Sequence, residues 1–196
     1  MCALRSIERV QEQIYEIAEA GKRQFWDLYQ ENGNRTGYDY AFSAWENKWF
    51  TPYHELGTSD NPIEAANYMF YGSRIHNAGT ITLCDEAEVY SMFHGARRMT
   101  AVHIIIQGVL TDCENMFALC DELADLTIEG KIAADMNLQW CYSLTEASLR
   151  SVVNALEDLY DAGEKFEYSL TFSAYSMEIL RNTNLLSVLD EKGWNY

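Results

Sequence analysis

Apolar residues fall into three successive copies of one short phrase between residues 66 and 140. Met69-Phe70, Met92-Phe93 and Met116-Phe117 lie 23 and 24 residues apart. Twelve residues after each Met stands an isoleucine in a β-branched run, namely Ile81, Ile104 and Ile128. A fixed period in the low twenties, with one arc phrase and one strand phrase in each copy, predicts stacked structural repeats that bury a continuous core between them.

Positions within a copy can be assigned from their polarity. Each Met and Phe, the small residue four past the Met (Ser73, Ala96, Cys120) and the apolar residue six or seven past it (Ile75, Met99, Leu123) suit a short helix or an irregular arc packed inside the coil. The strand phrases alternate. Ile81 and Leu83, then Val102, Ile104 and Ile106, then Leu126 and Ile128 are predicted to face the core. Thr82, His103, Ile105, Thr127 and Glu129 are predicted to face outward, on a parallel ladder whose free face is the usual interaction surface of such scaffolds. The expected fold class is therefore α/β, a short leucine-rich-repeat-like solenoid over residues 63–142.

Flanking segments read as covers for its two ends. Ile7, Val10, Ile14 and Ile17 form one apolar stripe on a helix predicted over residues 6–29, either an end cap or a seam through which copies of the chain assemble. Dense aromatics follow, including Trp26, Tyr38, Phe42, Trp45, Trp49 and Tyr53, and they complete an N-terminal cap over residues 1–62. Pro52 and Pro62 bracket a connector. After Ile128 the pattern degrades, with Leu138-Gln139-Trp140 standing where a fourth Met-Phe belongs. Residues 143–196 are predicted to be a C-terminal cap within the same continuous domain. Ser143-Leu144-Thr145-Glu146 reads as a capping box for a helix ending near Gly163. Phe166, Tyr168, Leu170 and Phe172 then alternate with Glu167, Ser169 and Thr171, which puts the last three on another exposed strand face. Ser173 caps a helix through Leu180, an apolar turn spans residues 185–189, and Gly193-Trp194 closes the end.

Charge narrows the range of partners. Thirty acidic residues against fourteen Lys and Arg give a formal net charge of −16, which disfavours direct nucleic-acid binding and suits a protein partner with a basic surface. The cysteines Cys2, Cys84, Cys113, Cys120 and Cys141 contain no C-x-x-C pair, and the last three occupy small apolar repeat positions, as expected of reduced core thiols. No apolar run suits a signal peptide or a membrane span, so the chain is expected to be soluble and made in the cytoplasm. His54, His76, His94 and His103 lack metal-ligand spacing, and phosphate-loop, dinucleotide and nucleophile-elbow motifs are missing. The expectation is a protein that is not an enzyme and needs no cofactor or metal.

Three phrases carry a resemblance to a known family: residues 25–36 with 38–42, the Met-Phe repeats, and Ile128-Glu129-Gly130-Lys131-Ile132 followed by Asn137-Leu138-Gln139-Trp140 and residues 144–156. Together they resemble BspA-like leucine-rich-repeat proteins of Gram-positive gut bacteria and of their phages and prophages. The resemblance implies a right-handed solenoid of short parallel strands, a binding role without a shared catalytic site, and a phage setting. The leading expectation is a noncatalytic protein-binding or assembly module. Two alternatives stand beside it. One is an acidic, anti-CRISPR-like inhibitor that mimics nucleic acid in a host defence nuclease, and the other is a virion or tail component assembled through the N-terminal helix.

Overall fold

The computed structural model describes Phe42 and residues 56–162 and 167–196. The stripe of Ile7, Val10, Ile14 and Ile17, the aromatic segment apart from Phe42, and Phe166 lie outside the described residues.

The alternating phrases form strands. β1 (Ile63–Ala65), β2 (Asn77–Glu88), β3 (Ala101–Leu110) and β4 (Asp125–Ile132) make a four-stranded parallel sheet in chain order. Ile81 pairs with Ile104, and Ile104 with Ile128, so the common twelve-residue offset becomes the register of the sheet. All seven residues predicted to face inward are buried. Leu56 adds a further rung beside β2, where its N–H donates to Thr80 O at 2.9 Å and its carbonyl accepts from Thr82 N at 2.8 Å. A second, two-stranded parallel sheet joins β5 (Met136–Leu138) to β6 (Leu170–Phe172). Among the described residues four helices complete the α/β arrangement: α1 (Glu146–Ala155), α2 (Leu159–Ala162), α3 (Ala174–Arg181) and α4 (Leu185–Lys192).

The Met-Phe phrases are arcs. Each contains two residues at positive φ, which breaks any helix. One immediately precedes the Met (Tyr68, Ser91, Asn115) and one follows it by three (Gly72, Gly95, Leu119). Backbone N–H groups freed from helical pairing donate to the next copy instead: Phe70 N to Met92 O at 2.7 Å, Gly72 N to His94 O at 2.8 Å, Phe93 N to Met116 O at 2.9 Å and Gly95 N to Ala118 O at 2.8 Å. Copies held at that spacing stack their phenyl rings in one column, with centroids 5.1 Å apart for Phe42 and Phe70, 5.3 Å for Phe70 and Phe93, and 5.4 Å for Phe93 and Phe117. Leu138 takes the next place, since Cys141 N donates to its carbonyl as Cys120 N donates to that of Phe117. Trp140 is left exposed.

The C-terminal helices differ from the sequence expectation in their ends. The cap of α1 is Thr145, whose hydroxyl accepts from Ser148 N at 3.2 Å, whereas Ser143 donates to Asp121 O. The helix stops at Ala155, well before Gly163, because Leu156 turns extended and bridges Ile132, and Glu157 N donates to Ile132 O at 2.8 Å. Strand β6 is only three residues long, matched to a three-residue β5. Ser173 does cap α3, accepting from Ser176 N at 3.1 Å. The buried Trp194 donates from its indole N–H to Glu157 O at 2.9 Å. One continuous cluster of buried apolar residues runs from Phe42 through the arcs and strands to Trp194.

Candidate functional site

Strand alternation and register set the outward face of the four-stranded sheet as two rows. Thr80, His103 and Thr127 lie side by side, and the next row is Thr82, Ile105 and Glu129. His103 reaches diagonally to Glu129, with Nε2 2.9 Å from Oε1. A shallow groove of about 250 Å³ crosses the start of this face, lined by Asn77, Thr80, Ala101, His103, Asp125 and Thr127 among others. Thr127, Asp125 and Glu129 are exposed on β4, while His103 and Ile105 are half-buried.

Thr82 departs from the expectation. It is 4% exposed and offers no binding surface. The rung formed by Leu56 extends the sheet past β2, and the turn that follows folds toward the outward face, where the Gln107 amide donates to Ser59 O at 2.9 Å. Thr82 is thereby an interior position with neighbours on both sides, and the usable face shifts toward β3 and β4.

Glu167, Ser169 and Thr171 belong to a separate surface, because β6 pairs with β5. Ser169 is held there by Asp135, whose Oδ1 accepts from its N–H at 2.7 Å and from its hydroxyl at 3.1 Å. A small groove of about 170 Å³ passes Glu114, Asn115, Asp135, Asn137, Ser169 and Thr171. The sequence-predicted outward residues therefore divide into two groups on two sheets.

Three arginines gather at one end of the strands, beside Asp121 and Glu122, a grouping the sequence reading missed. Glu88 is the last residue of β2, Asp112 and Asp135 follow the ends of β3 and β4, and all three are exposed. Arg74, Arg97 and Arg98 lie on the other side, where arcs lead back into strands. The signal was present in the spacing: Arg74, Arg98 and Glu122 fall 24 residues apart.

The remaining chemistry-bearing groups are inward. Cys113, Cys120 and Cys141 are buried free thiols, and the last two donate to Phe93 O and Phe117 O, each at 3.2 Å. Burial, with nearby carboxylates, pushes Cys113 up to about 12, and burial likewise raises Cys141 to about 12. These thiols are inert as nucleophiles or ligands at neutral pH. His94 stacks on Tyr71 with centroids 5.1 Å apart, and partial burial lowers its pKa. Among the described residues no group of three or more His, Cys, Asp or Glu is placed to hold a metal ion, and no helix is long and apolar enough to cross a membrane. No protein-family model, curated protein or solved structure matches the chain.

Proposed function

We propose that the chain is a noncatalytic protein-binding module, a short right-handed leucine-rich-repeat-like solenoid that engages its partner with the outward face of β3 and β4. The observation carrying this reading is the His103, Ile105, Thr127 and Glu129 face, a flat polar surface with one half-buried aliphatic side chain, held on strands whose other face is fully packed. A rigid surface of this kind binds without a large ordering cost, since its side chains sit on regular strands. Exposed acids at Asp125 and Glu129 favour a partner with basic side chains opposite them. Arg substitutions at Thr127 and Glu129 invert that charge without touching the core, and loss of partner binding in the double variant tests the reading.

A second reading, inhibition of a host nuclease by nucleic-acid mimicry, draws on the exposed acids Glu64, Glu86, Glu88, Asp112, Glu114 and Asp135 around the strand ends and on the −16 total. It predicts binding that collapses as salt is raised, because screening removes long-range attraction between exposed charges. Contact through the β3 and β4 face, with Ile105 at its centre, persists through the same salt series.

A further inference from the structure

Three of the four cationic side chains between residues 56 and 142 line a single cleft. Arg74, Arg97 and Arg98 surround a cavity of about 560 Å³ together with Gly72, Ser73 and Gly95. The cleft sits where arcs lead back into strands and includes His76, the chain neighbour of the Asn77 that lines the groove on the outward sheet face. In a chain of net charge −16, clustering the scarce cations works against their mutual repulsion and against their dispersal among abundant acids. Arg97 and Arg98 do meet Asp121 and Glu122 of the next copy. Both pairs are exposed, however, so each contributes little and is readily exchanged for a better anion. A guanidinium carries five N–H donors, and a single carboxylate satisfies at most a forked pair of them.

Ser73 supplies an independent observation. Ser73 belongs to the wall of the cleft, and its side chain is buried, at 2% exposure, with an Oγ that is shielded from solvent and has no hydrogen-bond partner. The equivalent positions in the next two copies are Ala96 and Cys120, both buried, so packing accepts a side chain without a hydroxyl. A buried hydroxyl left unpaired is a cost that alanine avoids. Beside it, Gly72 and Gly95 hold positive φ, and a Cβ at Gly72 would meet nothing within 4 Å, which leaves this wall of the cavity open.

We propose that this cleft binds the phosphate group of a small molecule. The three guanidinium groups take the outer oxygens in forked hydrogen bonds, and Ser73, turned about its Cα–Cβ bond toward the cavity, donates from Oγ to one more. A tetrahedral oxyanion presents acceptors in several directions, as donors arranged around a cavity require, whereas a carboxylate presents two in one plane. An acidic protein surface fits poorly, because Asp121 and Glu122 flank the cleft and the chain as a whole repels it. Free inorganic phosphate and the phosphate of a nucleotide share this chemistry.

The test is calorimetric titration of the full chain with inorganic phosphate, pyrophosphate and adenosine monophosphate at constant ionic strength, paired with thermal unfolding. Saturable one-site binding is expected. Arg74→Gln and Arg98→Gln should each weaken it by about tenfold or more, the value of one charge-assisted hydrogen bond, while Arg150→Gln, outside the cleft, should leave it unchanged. Ser73→Ala should weaken binding and at the same time raise the melting temperature of the free chain, two opposite effects that a packing role does not produce. Equal affinity for inorganic phosphate and adenosine monophosphate assigns the free ion, and a preference for the nucleotide assigns the ester. Absence of saturable binding, binding by both arginine variants as tight as that of the wild type, or tighter binding of an acidic peptide than of any phosphate overturns the proposal.

Discussion

Ser148 Oγ accepts the amide hydrogen of Leu126 at 2.9 Å and donates its own hydrogen to Ala124 O at 2.7 Å, so one helical side chain pairs two backbone groups at the open edge of β4. Ser151, one turn on, does the same for Ile128, accepting from its N–H at 2.8 Å and reaching its carbonyl at 3.3 Å. A parallel sheet would otherwise end here in unpaired backbone, which invites further strand addition. The helix covers the edge and the two serines complete its hydrogen bonding.

Ser148→Ala leaves the buried Leu126 N–H without its partner, while Ala124 O still accepts from Thr145 N. The expected loss is about 1–3 kcal/mol, the cost of one stranded buried donor, measured by urea unfolding. Ser151→Ala, at a half-buried site, should cost about 1 kcal/mol on the same scale.

The phenylalanine column predicts a graded response to truncation. Phe93 has a ring stacked above and below it, so Phe93→Ala should cost about 3–5 kcal/mol through lost burial and the cavity left behind. Leu138→Ala, at the end of the column, should cost less, toward the lower part of the 2–5 kcal/mol range for aliphatic truncations. Equal losses at both positions would mean that stacking between copies adds nothing to burial.

Gly130 interrupts β4 at φ +108, and a Cβ there would run into the carbonyl and side chain of Ile106 on β3. Gly130→Ala therefore combines backbone strain with a collision against a core strand. Thermal unfolding should show a destabilisation of about 2 kcal/mol or more, against about 0.5 kcal/mol or less for Thr127→Ala on the exposed face.

The buried thiols predict an alkaline weakness. The pKa values of Cys113 and Cys141 rise from an ordinary 9.0 to about 12 in the folded chain. Between those values the folded state holds protons that the unfolded state releases, so stability is intact below pH 9 and falls as pH rises toward 12. The slope contributed is about 1.4 kcal/mol per pH unit for each thiol. Cys113→Ala and Cys141→Ala should each flatten the loss of stability above pH 9, followed by denaturant midpoints across that range. In a Cys2→Ser background, a thiol reagent at neutral pH should modify the half-buried Cys84 before Cys113, Cys120 or Cys141.

The parts of the fold that a single chain segment determines were legible in the sequence. Ile81, Ile104 and Ile128 paired because equal offsets in equal repeats bring equal positions together, and Ser173 capped α3 because its partner lies three residues away. Features set by distant segments were not legible. Thr82 has the alternation of an outward residue, and its burial depends on a rung from Leu56 that no local pattern announces. Positive φ in the arcs falls on Gly72 and Gly95, where it costs little, but also on Tyr68 and Ser91, ordinary residues held there by hydrogen bonds between copies that no local pattern announces. Ser143 looked like the better capping-box residue until the chain placed it over Asp121. The arginine cleft was hidden by the net charge, which averages its cations into an acidic whole.

The proposed binding role rests on the β3 and β4 face, and it can be tested without knowledge of the partner. Tagged wild-type chain and the Thr127→Arg, Glu129→Arg variant are used in parallel to capture proteins from a phage-infected bacterial lysate, with washes at low and high salt and readout by mass spectrometry. The account predicts at least one protein retained by the wild type through the high-salt wash and lost from the variant, while both chains unfold at the same temperature. Identical captured sets from the two chains, or retention by the wild type at low salt alone, would contradict it.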